Sequence, residues 1–560
     1  MYSLFTASHP KPFHKQRKFI VIVLTIILLP SIVFFGCASR KLGVQLPKGN
    51  IEVPVKRSIH FNAISKLQQE IIQYWSRGKV EDWVDGEKID LKNPRTVISC
   101  LLAGKRIDEI NQYLLLQKST GNNGTRWLLN PRGGYDFNDM AFTPLLYLFN
   151  DRPDLLYPAT KHHLVENILT IEGAGFTKNV PRLGFQDSEN HILMAESSRY
   201  LKNQWRWNNG TQLAKYNNLA NGVGEGLLKY LKEIYTYGIY EFNSDPYLGY
   251  TYSSLLNLNA FATGEVKEYA TKILDNINWQ YALSSFQFKH FPPYRRRFKD
   301  SFSKSIYSDY HSVMLMVWAS FYNDSLALDI THGKHHALWP SMLPYRPSDK
   351  VMEWTLNKPN AYFVKMGHGY NSCPEICSGD KTFLLTAGGA NQGRFSLIMA
   401  KPTVLFLEDN ARQLNQTFHM FGPGPDFMKW NNTGLYEDFA CTKGMVHIPE
   451  GKKSVLILNE WQLFNISDSI FLCIFSKKEL GLLVIVRAPS AKEAIGKVVL
   501  NNPDTSILFK QFKHPNGNLI EYDLDAPKDR WVITSINNKP VNRGFDRWPF
   551  FEGNIDAVKK

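Results

Sequence analysis

The feature that most limits the fold is a change of hydrophobic period near Pro340-Ser-Met-Leu-Pro344. Before it, apolar residues recur three and four positions apart, the spacing of one helix face. Phe61 to Trp75 and Thr96 to Leu116 follow this rule. So do Asn138 to Phe149, His162 to Ile171, Glu189 to Trp205, Leu219 to Tyr240, Leu248 to Ala262, Val266 to Leu283 and Ser305 to Tyr322. Loops rich in Gly, Asn and Pro separate them. After the change come short β-rich runs such as Phe383-Leu-Leu-Thr, Val404-Leu-Phe-Leu, Ile470-Phe-Leu-Cys-Ile-Phe and Leu482-Leu-Val-Ile-Val. Turns at short intervals divide them, a pattern that suits an antiparallel β-sandwich. The expectation is an α+β multidomain chain: a helical domain over about 56–340, a β-sandwich over about 350–545 and a C-terminal tail over 546–560. No fixed-length repeat is present, so the helices alone leave a toroid, a solenoid or an irregular bundle open.

The first 55 residues read differently. His14-Lys15-Gln16-Arg17-Lys18 is a basic segment, Phe19 to Phe35 is almost wholly apolar, and Gly36-Cys37-Ala38-Ser39 follows. This order is that of an export signal. The Gly-Cys step resembles a bacterial lipoprotein processing site, which implies lipidation at Cys37, a signal over 1–37 and a tether over 38–55. The rival is a short signal anchor, for which the apolar run is at the low end of spanning length. Either way the body is expected outside the cytoplasm, as a lipoprotein on the outer membrane or the periplasmic face in the first case. The formal charge of +14 suits an anionic partner or surface. Apart from Arg295-Arg296-Arg297 the basic residues are scattered, and no nucleic acid is expected as a partner. Cys373-Pro-Glu-Ile-Cys377 is either a local disulfide or two free thiols.

One stretch carries more polar chemistry than a helix start needs. In Phe185-Gln-Asp-Ser-Glu-Asn-His-Ile-Leu-Met-Ala-Glu-Ser-Ser-Arg-Tyr200, Asp187, Glu189, Asn190 and His191 crowd the opening of an apolar pattern. Ser188 is placed as an N-cap, and Arg199 and Lys202 are placed to reach solvent. Backbone donors and the positive dipole end of a helix favour anionic groups there. Fifty-six residues after His191 stands Tyr247, at the start of another apolar helical run and with Tyr240, Tyr250 and Tyr252 as neighbours.

Helical domain, β-sandwich and export signal together resemble the polysaccharide lyases with an (α/α) toroid, such as the heparinase II/III-like and oligoalginate lyases. In several of these an Asn-His pair opens a toroid helix and a Tyr follows some fifty to sixty residues later, as Asn190-His191 and Tyr247 do here. The resemblance covers most of the exported chain in architecture and these three residues in motif. It implies β-elimination on a uronic-acid-containing polysaccharide or oligosaccharide. Asn190 would hold the uronate carboxylate, His191 would be base or electrostatic partner, and Tyr247 the acid. Arg199 or one of Arg295, Arg296 and Arg297, with Arg296 the chosen member, would bind substrate carboxylates, Glu189 would contact substrate, and Trp205 and Trp207 would stack on sugar rings. The bland readings are a solvated arginine loop and tryptophans that pack the core. No cofactor is required; a structural divalent metal is conceivable at Thr331-His-Gly-Lys-His-His336 or at His368, Asp380 and His419, although hydrogen bonding serves those histidines as well.

Two other classes compete. Asp187 and Glu189, with Glu241 and Asp245, suit a glycoside hydrolase on the same scaffold that works with paired carboxylates. A non-catalytic, lipid-anchored glycan-binding protein would use the aromatic loops and need no converging triad. For the anchor the expected outcome is plain. Metabolic labelling with a fatty acid marks the wild type and is lost in Cys37→Ser; a label that persists rejects this anchor, and an unlabelled wild type favours the signal anchor.

Overall fold

The computed structural model describes residues 45–58, 64–80, 92–119, 134–179, 186–244, 247–295, 305–307, 310–323, 326, 337–369, 374–389, 398–399, 401–422 and 431–555. Helices fill its first part: α1 (Lys66–Ser76), α2 (Lys92–Leu102), α3 (Ile107–Leu116), α4 (Asp136–Leu148), α5 (Pro158–His163), α6 (Glu189–Asn208), α7 (Val223–Tyr237), α8 (Tyr247–Phe261), α9 (Gly264–Ser284), α10 (Tyr310–Ala319), α11 (Leu338–Met342) and α12 (Asp349–Leu356). The run expected as one helix over Thr96–Leu116 is two, because Gly104 and Arg106 adopt left-handed backbone between α2 and α3.

The helices divide by burial. In α7 the buried residues Val223, Leu227, Tyr230, Leu231 and Ile234 make one stripe, the mark of a helix with a solvent side. In α8 every residue from Thr251 to Asn259 is buried, so this helix is covered all round. Packing runs from α1 to α2, then α4, α6, α8, α10 and α11, and α11 returns to α1, which closes a circuit. Three successive members run parallel. Asp136 and His191 meet at the starts of α4 and α6, while Tyr147 Oη donates to the Leu201 carbonyl at 2.7 Å near their ends. Gln204 Nε2 likewise donates to the Phe261 carbonyl at 2.8 Å, late in α6 and at the end of α8.

The second part is antiparallel. A seven-stranded sheet runs Val446–His447, Phe418–Met420, Thr403–Leu407, Phe383–Gly388, Glu375–Gly379, Tyr362–Met366 and Glu552–Asn554 in spatial order. Its side chains alternate between two cores, as the period of two requires. Tyr362, Val364, Cys377, Leu384, Val404 and Phe406 face the helical core. Ile376, Phe383, Leu385 and Leu405 face a second core, shared with a six-stranded antiparallel sheet that includes Trp461–Ser467, Ile470–Lys477 and Leu480–Arg487. Cys377 is a buried free thiol, and Cys373 lies outside the described residues.

Both outer segments are bound into this frame. The stretch expected as a tail carries the edge strand Glu552–Asn554, paired with Phe363–Lys365. The end of the expected tether docks beside it, with Asn50 Nδ2 donating to the Gly553 carbonyl at 2.8 Å and Gly553 N donating back to Asn50 Oδ1 at 2.9 Å. Further along, the Arg57 guanidinium pairs with the buried Asp275 carboxylate of α9. Glycine is required at 49, where a Cβ would lie 1.7 Å from the Phe551 carbonyl oxygen. Because Phe406 is fully buried on the helix-facing side of the sheet, Phe406→Ala is expected to lower unfolding free energy by about 3–5 kcal/mol in urea titration. A loss under about 1 kcal/mol would show that the sheet and helices are not packed as one unit.

Candidate active site

The starts of α4, α6 and α8 lie at one end of the helical region, and their sequences explain how they meet. Each helix start leaves N–H groups without an intrahelical acceptor, and acids are drawn there. At α6 the expected cap does not form. Ser188 has extended backbone, but its hydroxyl donates to Asn190 Oδ1 at 2.8 Å instead of accepting from the first turn. Glu189 is buried; its carboxylate accepts from Tyr240 N at 3.1 Å and Glu241 N at 3.4 Å. Glu241 answers from the segment before α8, accepting from Asn190 N at 3.4 Å. Glu189, expected to contact substrate, holds the backbone of the neighbouring turn.

His191 is the exposed member. Its Nδ1 bonds Asp136 Oδ2 at 2.6 Å, and its side chain keeps 30% exposure. Burial opposes the charged ring, but Asp136, with Asp187 and Glu241 behind it, outweighs burial and holds His191 up at about 9. At neutral pH it is an imidazolium, which leaves it as cation or acid rather than resting base. Phe137 stands edge-on to the His191 ring at 5.3 Å and edge-on to Tyr250 at 4.7 Å. Ring contacts thus lead from His191 to Tyr250, one turn into α8, while Tyr247 opens that helix half-buried. Asn190 is fully buried, and its Nδ2 has no hydrogen-bond acceptor among the described residues.

A pocket beside this mouth is lined by Tyr135, Lys178, Asp187, His191, Glu196 and Arg199, among others. Burial raises the Asp187 carboxyl and pushes Glu196 up to about 7, although Arg199 draws Glu196 the other way. Arg199 Nε bonds Glu196 Oε2 at 3.1 Å, and its Nη1 donates to the Glu172 carbonyl at 2.9 Å. Lys178 Nζ pairs with Glu233 at 2.5 Å and lies over the Tyr230 ring.

Other expected residues fall elsewhere. Trp205 is fourteen residues along α6 from His191, about 21 Å at the helical rise, so neither it nor Trp207 shares the mouth. Trp205 instead donates to Asn150 Oδ1 at 3.0 Å. Lys202, expected in solvent, is buried and paired with Glu172 at 2.6 Å. Arg296, Asp245, Cys37 and Thr331–His336 lie outside the described residues. Arg295, adjacent to Arg296, is buried with its guanidinium 3.7 Å from the Tyr240 ring centroid. His368, Asp380 and His419 do not converge: His368 bonds Glu375, Asp380 meets Arg487, and His419 stacks on His447. Among the described residues no group of three or more His, Cys, Asp or Glu is placed to hold a metal.

The chain matches no protein-family model, and no curated protein resembles it in sequence. The residues of the mouth carry the functional reading alone. Asp136, Glu196 and Lys178 were not singled out from the sequence. Asp136 carried a readable signal, since it opens an apolar helix with an acid just as Glu189 does.

The pair makes a pH-dependent contribution. His191 titrates higher in the folded chain than its ordinary value of roughly 6.5. Its stabilisation is therefore complete below that value and is lost as pH rises toward about 9. In Asp136→Asn the His191 midpoint, followed by NMR of the imidazole, should fall, and stability should vary less over the same interval. An unchanged midpoint would show that Asp136 does not hold the charge.

Proposed function

We propose that the chain is a polysaccharide lyase that cleaves a uronic-acid-containing glycan by β-elimination. On this reading the closed circuit of helices is an (α/α) toroid and the two facing sheets are a β-sandwich. The observation that carries it is the pairing of the part-exposed His191 with Asp136 at 2.6 Å, at the mouth where Tyr247 opens the neighbouring helix. The part-exposed His191 ring at this helix mouth suits a substrate carboxylate, and it stabilises the charge that builds there when the C5 proton leaves. Tyr247 relays that proton: its oxygen accepts the C5 proton as its own hydroxyl proton passes to the departing C4 oxygen. The C4–C5 double bond forms and the C4–O bond breaks. Atoms and charge balance without another reagent. The mouth's own acids do not oppose such a substrate as their number suggests. Glu189 and Glu241 are turned to backbone N–H groups, and burial raises the Asp187 carboxyl.

A hydrolase is the second reading, and one observation favours it. Glu196, pushed up to about 7, and Asp187 line the same pocket as His191 and Arg199. A carboxyl half-protonated at neutral pH is suited to protonating a glycosidic oxygen. Export and lipidation at Cys37 belong to this proposal and would place the enzyme at a membrane surface.

Incubation with a panel of uronate polysaccharides separates these readings. Ultraviolet absorbance of an unsaturated product marks a lyase, new reducing ends without it mark a hydrolase, and binding with neither marks a receptor. Under the lyase reading Tyr247→Phe and His191→Ala each lower turnover by roughly 10²–10⁴-fold with little change in melting temperature. The double variant falls no further than the worse single one, because the two act as a unit. Asn190→Ala weakens substrate binding as well. Near-native turnover in Tyr247→Phe, with turnover abolished in Glu196→Gln, would put the hydrolase in its place.

A further inference from the structure

The turn between α7 and α8 is gripped from two sides. From the helical side, Glu189 holds the N–H groups of Tyr240 and Glu241, and Glu241 reaches back to Asn190. From the sheet side, Asn243 Nδ2 donates to Glu375 Oε1 at 2.8 Å and to the Pro293 carbonyl at 3.2 Å. Asn243 has left-handed backbone at φ 51°, which asparagine tolerates better than most residues but which needs a fixed side chain to persist. Phe242, next to it, stacks on the His368 ring at 4.1 Å.

We propose that Glu375, on the seven-stranded sheet, is a positioning residue for the helix-mouth site: through Asn243 it fixes the turn that sets the first turn of α6. This inference rests on the reading of that mouth as the active site. Glu375 Oε1 is shared by His368 Nε2 at 2.8 Å, Asn243 Nδ2 at 2.8 Å and Gln280 Nε2 at 3.3 Å, so three elements are tied to one oxygen. Glu375 is 1% exposed, and its Oε2 has no hydrogen-bond partner among the described residues. A buried carboxylate left half-satisfied is costly for stability alone. Burial opposes its ionisation, yet His368, with His290 and Lys401 nearby, holds it below the usual carboxylate range. The charge is thus kept where it holds the side chain of Asn243, two residues beyond Glu241. Glu241 in turn both receives the Asn190 amide and helps hold His191 charged. Without the sheet's grip, the turn retains its helical anchor but loses the side chain that fixes its left-handed residue.

Three full-length variants test this. Glu375→Ala removes the acceptor, Glu375→Gln keeps an oxygen for Asn243, and Asn243→Gly keeps the left-handed backbone but loses the amide. The first readout is the His191 imidazole titration by NMR, which needs no substrate. The second is kcat and KM on the uronate polysaccharide that gives unsaturated product. In Glu375→Ala and Asn243→Gly the His191 midpoint should fall, though by less than in Asp136→Asn, because Asp136 still faces the ring. In the same variants kcat should fall roughly ten- to a hundredfold with KM nearly unchanged, while Glu375→Gln stays close to wild type. Wild-type His191 titration in both disrupting variants overturns the proposal, even if they melt earlier, since a purely structural contact would do only that. Should Glu375→Ala not fold, Asn243→Gly decides alone. A shifted His191 with no unsaturated product from any substrate keeps the positioning role and removes the elimination reading. Unsaturated product with an unmoved His191 does the reverse.

Discussion

Three parallel helices that start together must answer for their unpaired N–H groups in one place. In this chain the answer is cross-bracing. Glu189 of one helix serves the amides before the next, and Glu241 from that next segment serves Asn190 in return. Asp136 from the third start is matched by His191 rather than by backbone. Burying these carboxylates one at a time would be costly, because an ion taken from water needs several partners before its attraction offsets desolvation. Sharing donors between helix starts lowers that cost and makes the three starts interdependent. It also leaves one partner, His191, partly open to solvent and charged. The functional reading follows from that residue.

The gross layout was legible because it rests on periodicity, and periodicity is local. Apolar residues at helical spacing mark α7 and α9, and the short β-rich runs mark most of the strands. What was not legible rests on contacts between distant segments. Ser188 has the residue type and backbone of a cap, yet its hydroxyl prefers Asn190, because Glu241 competes for the amide of that turn. Lys202 sits at a position that a helical wheel assigns to solvent, but Glu172 from an earlier loop draws it inside. Trp205 and Trp207 share a helix with the site and are removed from it by helix length alone. The Asn190-His191 pair was visible as a surplus of polar groups, whereas Asp136, fifty-five residues earlier, needed the parallel packing of two helices to come into view.

The seven-stranded sheet has the same character on a larger scale. Alternate residues of Thr403–Leu407 belong to different cores, with Val404 and Phe406 on the helices and Leu405 on the second sheet. Its edge strand comes from residues 552–554 and is bonded to Asn50, so distant parts of the chain meet on one border. A change in one core is felt in the other through a single backbone, as close packing transmits volume changes.

A sheet packed against a core on each face has a consequence for how such a protein can change over generations. Its helical and β regions cannot be traded as interchangeable parts, since either one, set beside a stranger, would present an apolar wall without its matching surface. Innovation in this architecture is therefore confined to the loops and to the helix mouths, where a residue can be replaced without renegotiating the shared wall. The site described here lies at such a mouth.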